Sequence, residues 1–130
     1  MIKRTDRPSP GFARNPDKKI TVEPFAGSVT VRVADVAVAE TIRAKLLKED
    51  GYPPVLYIPF EDIGFANLEP TDTKTHCPYK GDASYWRLAM PGEPGEDLMW
   101  AYEAPYDEMA EIKDHGAFYE DRVTIETKKD

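Results

Sequence analysis

One cysteine, two histidines and no long apolar run set the first limits on this 130-residue chain. The single thiol, Cys77, excludes an intramolecular disulfide and a multi-thiolate zinc site within one chain; a free thiol suits a reducing, cytoplasmic compartment. No apolar stretch approaches the roughly 20 residues of a membrane helix, so no membrane partner is expected. Met1 to Asn15 is basic and proline-broken, with no apolar run behind it, unlike a secretory leader. Positive charge is also in deficit: 17 Lys and Arg face 24 Asp and Glu, a formal net charge of −7. Residues 88–121 carry ten acids against Lys113 alone. Such a surface argues against nucleic acid as a partner, because phosphate contacts dominate that affinity. Glycine-rich phosphate loops, a serine nucleophile elbow, internal repeats and low-complexity segments are all missing.

What is present is globular. Hydrophobic residues at 41% and charged residues at 32% fit one folded domain of this length. Residues 1–19 hold six Lys and Arg against two Asp. Pro8, Pro10 and Gly11 break any regular element there, so residues 1–14 are expected to form a flexible basic arm. The domain is expected over residues 15–127, with a charged tail at 128–130.

Period-two patterns dominate the rest. Residues 19–22 suggest a short strand ended by Pro24, and Val29, Val31 and Val33 alternate with polar residues in a second. Ala34-Asp35 turns the chain into residues 36–39. Residues 38–50 support two readings: Val38, Ile42 and Leu46 recur at helical spacing, whereas Ile42, Ala44 and Leu46 alternate as in a strand. Val55-Leu56-Tyr57-Ile58 is a buried strand stopped by Pro59, and residues 60–73 read as a connecting loop. Residues 82–90 pair with 97–103 across the proline- and glycine-rich loop 91–96. Alternation puts Ser84, Trp86 and Leu88 on one face and Ala83, Tyr85 and Arg87 on the other. Leu98, Trp100 and Tyr102 share a face of the partner strand. Pro105 opens a short helix ended by Gly116, and residues 117–119 and 123–125 close the fold as strands.

Chemistry concentrates in residues 75–86. Cys77 would be a nucleophile if a positive group depressed its pKa, but His76 is its sequence neighbour and points away along an extended chain. Only His115 could serve it as a base, and unpaired cysteines are among the most buried residues. Lys80 lies between Tyr79 and Gly81, with Tyr85, Trp86 and Trp100 expected nearby. There it either anchors a carboxylate or phosphate, acts as a desolvated base, or lays its stem on aromatic surface with its ammonium in water. No metal-ligand spacing is present, and no cofactor is implied.

The pattern Thr75-x-Cys77-Pro78-Tyr79-Lys80-Gly81-x-Ala83-x-Tyr85-Trp86 resembles that of a small, mostly bacterial and fungal family, domain of unknown function 427. Asn15-Pro16, Val31, Ala39, Val55 to Pro59 and Asp62 precede it in matching order. Trp100-x-Tyr102-x-x-Pro105 and Ala117-Phe118-Tyr119 follow, so the resemblance spans residues 15–127. It implies a mostly β, β-tent-like domain, two antiparallel sheets meeting at an angle with few helices, to which the residues themselves add the one short helix near the C-terminus. That architecture is similar to methionine sulfoxide reductase B-type enzymes and cereblon's ligand-binding domain. It favours strands at 38–48. Relatives of that kind often carry a four-cysteine zinc site, which Cys77 alone cannot supply. The family's nucleotidyltransferase-like label does not transfer: Gly27-Ser28 is followed by Asp35-Val36-Ala37, without the second carboxylate of a metal pair. The resemblance marks Thr75, Cys77, Lys80, Tyr85, Trp100 and Tyr102 as a site, with Tyr57 and Asp62 as neighbours.

The function expected is a small-ligand-binding β domain. Its cleft is lined by Trp100, Tyr102 and Tyr57, and Lys80 anchors a small anionic molecule. The alternatives are an enzyme using Lys80 or Cys77 as base or nucleophile, and an interaction module or homodimer pairing exposed β edges.

Overall fold

The computed structural model describes residues 7–89 and 95–130. In chain order its elements are α1 (Pro10–Arg14), β1 (Ile20–Pro24), β2 (Gly27–Val33), β3 (Val36–Thr41), β4 (Lys45–Glu49) and β5 (Val55–Pro59). They continue as β6 (Leu68–Cys77), β7 (Gly81–Leu88), β8 (Asp97–Ala101), β9 (His115–Phe118) and β10 (Thr124–Lys129). The strands form two antiparallel sheets, one of seven strands in the order β1-β4-β5-β9-β8-β7-β6 and one of three in the order β10-β2-β3. A mostly β fold of two antiparallel sheets is therefore the architecture. Among the described residues, no helix is long and apolar enough to cross a membrane.

Alternation in the sequence explains the layers. Val29, Val31 and Val38 of the small sheet pack with Ile58, Trp86 and Met99 of the large one in a first core. The opposite face of the large sheet buries Leu47, Tyr57, Ala83 and Tyr85 with Met109 and Ile112 in a second core. Neighbours on one strand thus feed different cores: Tyr57 and Ile58, Tyr85 and Trp86. Both faces of the central strands are covered, so both halves of the alternation are apolar. The β2–β3 hairpin turns at Ala34 and Asp35, both with positive φ (48° and 66°), the geometry a two-residue hairpin loop requires.

Residues 38–50 contain strands of two different sheets, separated by a non-strand corner at 42–44. β3 ends at Thr41, and β4 starts at Lys45 beside β1 and β5. Ile42, on which both the helical spacing and the strand alternation depended, stands at the corner with 77% of its surface exposed. Strand β5 makes the next hand-over: Val55–Tyr57 pair with β4, whereas Ile58 and Pro59 pair with β9.

Several expectations need correction. The loop expected over residues 60–73 contains two single 3-10 turns and the first half of β6, a ten-residue edge strand bonded only to β7. Most of β6 is exposed and its register breaks between Pro70 and Lys74, so it lacks the apolar alternation that identifies a half-buried strand. The short helical segment near the C-terminus is a 3-10 stretch, Asp107–Ile112, and Gly116 lies inside β9 rather than ending it. A Cβ at Gly116 would stand 2.5 Å from the Met99 sulfur, so close packing explains the glycine. Of the expected arm, residues 1–6 lie outside those described, whereas Ser9 caps a docked helix, α1. Residues 128 and 129 belong to β10 rather than to a tail. The Pro91-Gly92-Glu93-Pro94 portion of the expected loop also lies outside the described residues.

Candidate functional site

The β6–β7 turn, Pro78-Tyr79-Lys80, is built to hold one lysine still. Its exit is Gly81, with φ +124°, a conformation costly for any residue with a Cβ. From one side, Gly11 N and the Ser9 hydroxyl both donate to the Pro78 carbonyl, at 2.8 and 2.9 Å. From the other, Tyr106 N donates to the Lys80 carbonyl at 2.9 Å. Ser9 also donates its own N–H to Glu108 at 2.8 Å, tying the two supports together.

Lys80 is 8% exposed. Its ammonium donates to Glu49 Oε1 at 2.7 Å, and Glu49 Oε2 lies 3.3 Å from the Lys18 ammonium. Lys18 in turn stands 5.4 Å from the ring centres of both Tyr52 and Tyr79. One carboxylate therefore serves two lysines, leaving one positive charge in the trio. A cation over an aromatic face gains electrostatic energy without being neutralised.

These groups border a cleft of about 320 Å³ on the second-core face of the large sheet. Tyr57, Tyr85, Trp100 and Tyr102 line it, together with Lys80 and Cys77. Strand pairing explains the gathering: Tyr85 and Trp100 are directly opposite on β7 and β8, and Tyr57 reaches them from the hand-over in β5. Trp100 Nε1 donates to the Tyr57 hydroxyl at 3.4 Å. Thr75 is exposed and does not line the cleft, but its hydroxyl lies 2.8 Å from that of Tyr85. Tyr102 is buried, yet its hydroxyl has no hydrogen-bond partner among the described residues. Among the described residues no enclosed polar side-chain atom is left unsatisfied, so this hydroxyl keeps access to the cleft.

Burial raises the phenol pKa of Tyr57 and of Tyr102 far above the ordinary 10.0. Tyr119 is pushed up to about 12, mainly by burial and then by Tyr85. All three present neutral hydroxyls at physiological pH, so the cleft offers aromatic walls, neutral O–H groups and a lysine cation. That is the usual make-up of a small-molecule site.

Three expected neighbours are elsewhere. Trp86 points to the opposite face of β7, packed edge-on to Phe60 and Phe65 at 5.9 and 5.8 Å, and does not flank Lys80. Asp62 lies in a separate depression, accepting from Thr41 at 2.7 Å and Arg43 at 3.1 Å. The Thr41 hydroxyl, then Arg43, holds its carboxyl below the ordinary carboxylate range. His115 sits on β9 opposite Pro59, its Nδ1 2.7 Å from the Lys113 carbonyl. His76 is exposed beside Asp82, at 2.7 Å. Neither histidine lines the cleft with Cys77. Among the described residues, no three metal-ligating side chains come together.

A sequence model described as Domain of unknown function (DUF427) matches residues 21–129. The chain belongs to this family. A search of curated proteins returned no match. In this DUF427 chain the matched span holds the whole cleft, whereas α1 and Lys18 precede it. Lys18, Glu49, Tyr52 and Tyr119 are among the site residues that the sequence reading missed. Glu49 carried a usable signal: once 45–49 is a strand, Leu47 and Glu49 share a face and point into the same cleft. Lys18 carried none, since only tertiary contact brings it to Glu49.

Proposed function

We propose that this protein is a small-ligand-binding β domain, with Lys80 anchoring the anionic group of a molecule whose apolar body lies against Trp100, Tyr57 and Tyr102. The observation that carries the reading is the sheltered Lys80 ammonium at an aromatic cleft, with its partner carboxylate shared by Lys18. A fully matched ion pair would offer an anion little; two lysines on one carboxylate leave charge to be answered. The cleft, at about 320 Å³, is at the small end of the roughly 300–1,000 Å³ typical of ligand pockets. The Tyr102 hydroxyl supplies a second, neutral polar contact.

The catalytic alternative, with Cys77 as nucleophile or Lys80 as base, has less support. Cys77 has no histidine beside it in the cleft, and the Lys80 ammonium already donates to Glu49. The test is a thermal-shift titration of the protein with a panel of small aromatic carboxylates and phosphate monoesters. A ligand that stabilises the native protein should bind Lys80→Met at least about tenfold more weakly, the scale of a lost charged hydrogen bond. Trp100→Ala should weaken it as well. Undiminished binding to Lys80→Met would overturn the assignment.

A further inference from the structure

A second compartment of about 400 Å³ adjoins the Lys80 cleft. The two share Tyr52, Pro53 and Val55 on one wall and Trp100 and Tyr119 on the other. Trp100 and Tyr119 form a continuous aromatic rib, their ring centres 4.7 Å apart. Arg122 packs over Tyr119 at 4.4 Å and is itself fixed by donating to the Asp97 carbonyl at 2.7 Å, so the rib is braced from outside the cavity. Beyond the rib, Pro54, Leu56, Phe118 and Ile125 make an apolar lining. The charged groups that line this end are Glu120 and Asp121, both exposed.

Resting on the reading above, we propose that the two compartments form one elongated site for an amphipathic monoanion. Its acid group sits at Lys80, and its apolar tail passes over Trp100 and Tyr119 to end against Phe118 and Ile125. The charge distribution sets the polarity. Among the residues lining the two compartments, lysine charge is found only at the first end. Arg122 stands outside the lining with its charge answered by Glu96 at 3.3 Å, and the carboxylates at the far rim repel a second anionic group. The site therefore selects monoacids with an apolar body over diacids of the same length. The shared walls make the compartments parts of one path, so apolar length added to a ligand anchored at Lys80 is removed from water as it grows.

The test titrates the full chain, by calorimetry, with unbranched ω-phenylalkanoates from phenylacetate to 6-phenylhexanoate. Affinity should rise about three- to fourfold for each added methylene, the value of burying a CH₂. A terminal carboxylate on the ring should cancel that gain. Ile125→Glu should remove the dependence on length. Glu120→Lys, an exposed change that does not depend on core repacking, should restore binding of the diacid. Two results overturn the elongated site while leaving the Lys80 anchor intact: affinity independent of length, or a length dependence that survives Ile125→Glu together with no rescue by Glu120→Lys. Failure of every member to bind, or binding indifferent to Lys80→Met, overturns the anchor itself and the elongated site with it.

Discussion

Glu49 holds two ammonium groups at once, Lys80 at 2.7 Å and Lys18 at 3.3 Å, with its side chain only 12% exposed. The consequences of removing each partner are unequal. Lys80→Met leaves Glu49 still paired with Lys18 and places an apolar chain of similar length among tyrosines. Glu49→Met leaves the sheltered Lys80 ammonium without its carboxylate and brings two lysines together unscreened. Breaking a buried pair in that way costs about 3–5 kcal/mol. Glu49→Met should therefore lose about 3 kcal/mol in urea denaturation, and Lys80→Met less than about 1.5 kcal/mol. Equal losses would mean that Lys18 does not hold Glu49 when Lys80 is gone. At this scale the sequence drew attention to Lys80 and was silent about its partner. Lys80 stood out by its aromatic neighbours, but of those named with it Trp86 faces the other core. A strand's two faces are both apolar here, so alternation alone could not say which one met the lysine.

The elements themselves were legible where burial imposes a period. β2, β5, β7 and β8 all lie where alternating or continuous apolar residues suggested them. β6 was illegible for the opposite reason: an exposed edge strand needs no apolar face, so its Thr, Asp and Lys residues read as loop. Helix α1 was hidden too, because Pro10 at its first position and Gly11 after it look like breakers. Proline is tolerated there, where the missing N–H has no helical partner. Gly11 is required by proximity: a Cβ would stand 2.8 Å from the Pro78 carbonyl oxygen and 2.8 Å from the Tyr79 ring. Those atoms belong to the turn that presents Lys80. Gly11→Ala should therefore lift α1 from the turn, at a cost of about 1–3 kcal/mol for overpacking. Hydrogen exchange should speed up for the amides of residues 11–15 and at Lys80, while the strands of the small sheet keep their protection. Unchanged exchange at Gly11→Ala would show that the turn can yield without releasing the helix.

For the whole molecule, the titrating groups define a stability plateau with two edges. Burial lowers the His115 pKa below its ordinary 6.5, so the native state binds fewer protons than the unfolded chain as pH falls past that value. The stabilisation is complete above pH 6.5 and is lost as pH falls through the folded value. Asp62, lowered from 3.8 chiefly by its bond from Thr41, adds a second loss at still lower pH. The alkaline edge has the reverse sign. Tyr57, Tyr102 and Tyr119 are raised from 10.0, so the native state retains protons that the unfolded chain releases, and stability falls as pH climbs past that value. Each of the two well-buried phenols, Tyr57 and Tyr102, steepens that fall by at most about 1.4 kcal/mol per pH unit. Urea unfolding followed from pH 4 to pH 11 should accordingly give a flat top between about 6.5 and 10. His115→Gln should remove the first acid step without touching the alkaline limb, and Tyr102→Phe should shallow the alkaline limb without touching the acid one. An acid step that persists in His115→Gln would assign it to carboxylates instead. An alkaline limb unchanged in Tyr102→Phe would mean that the cleft hydroxyl ionises as freely as one in water, and that the aromatic walls do not shield it.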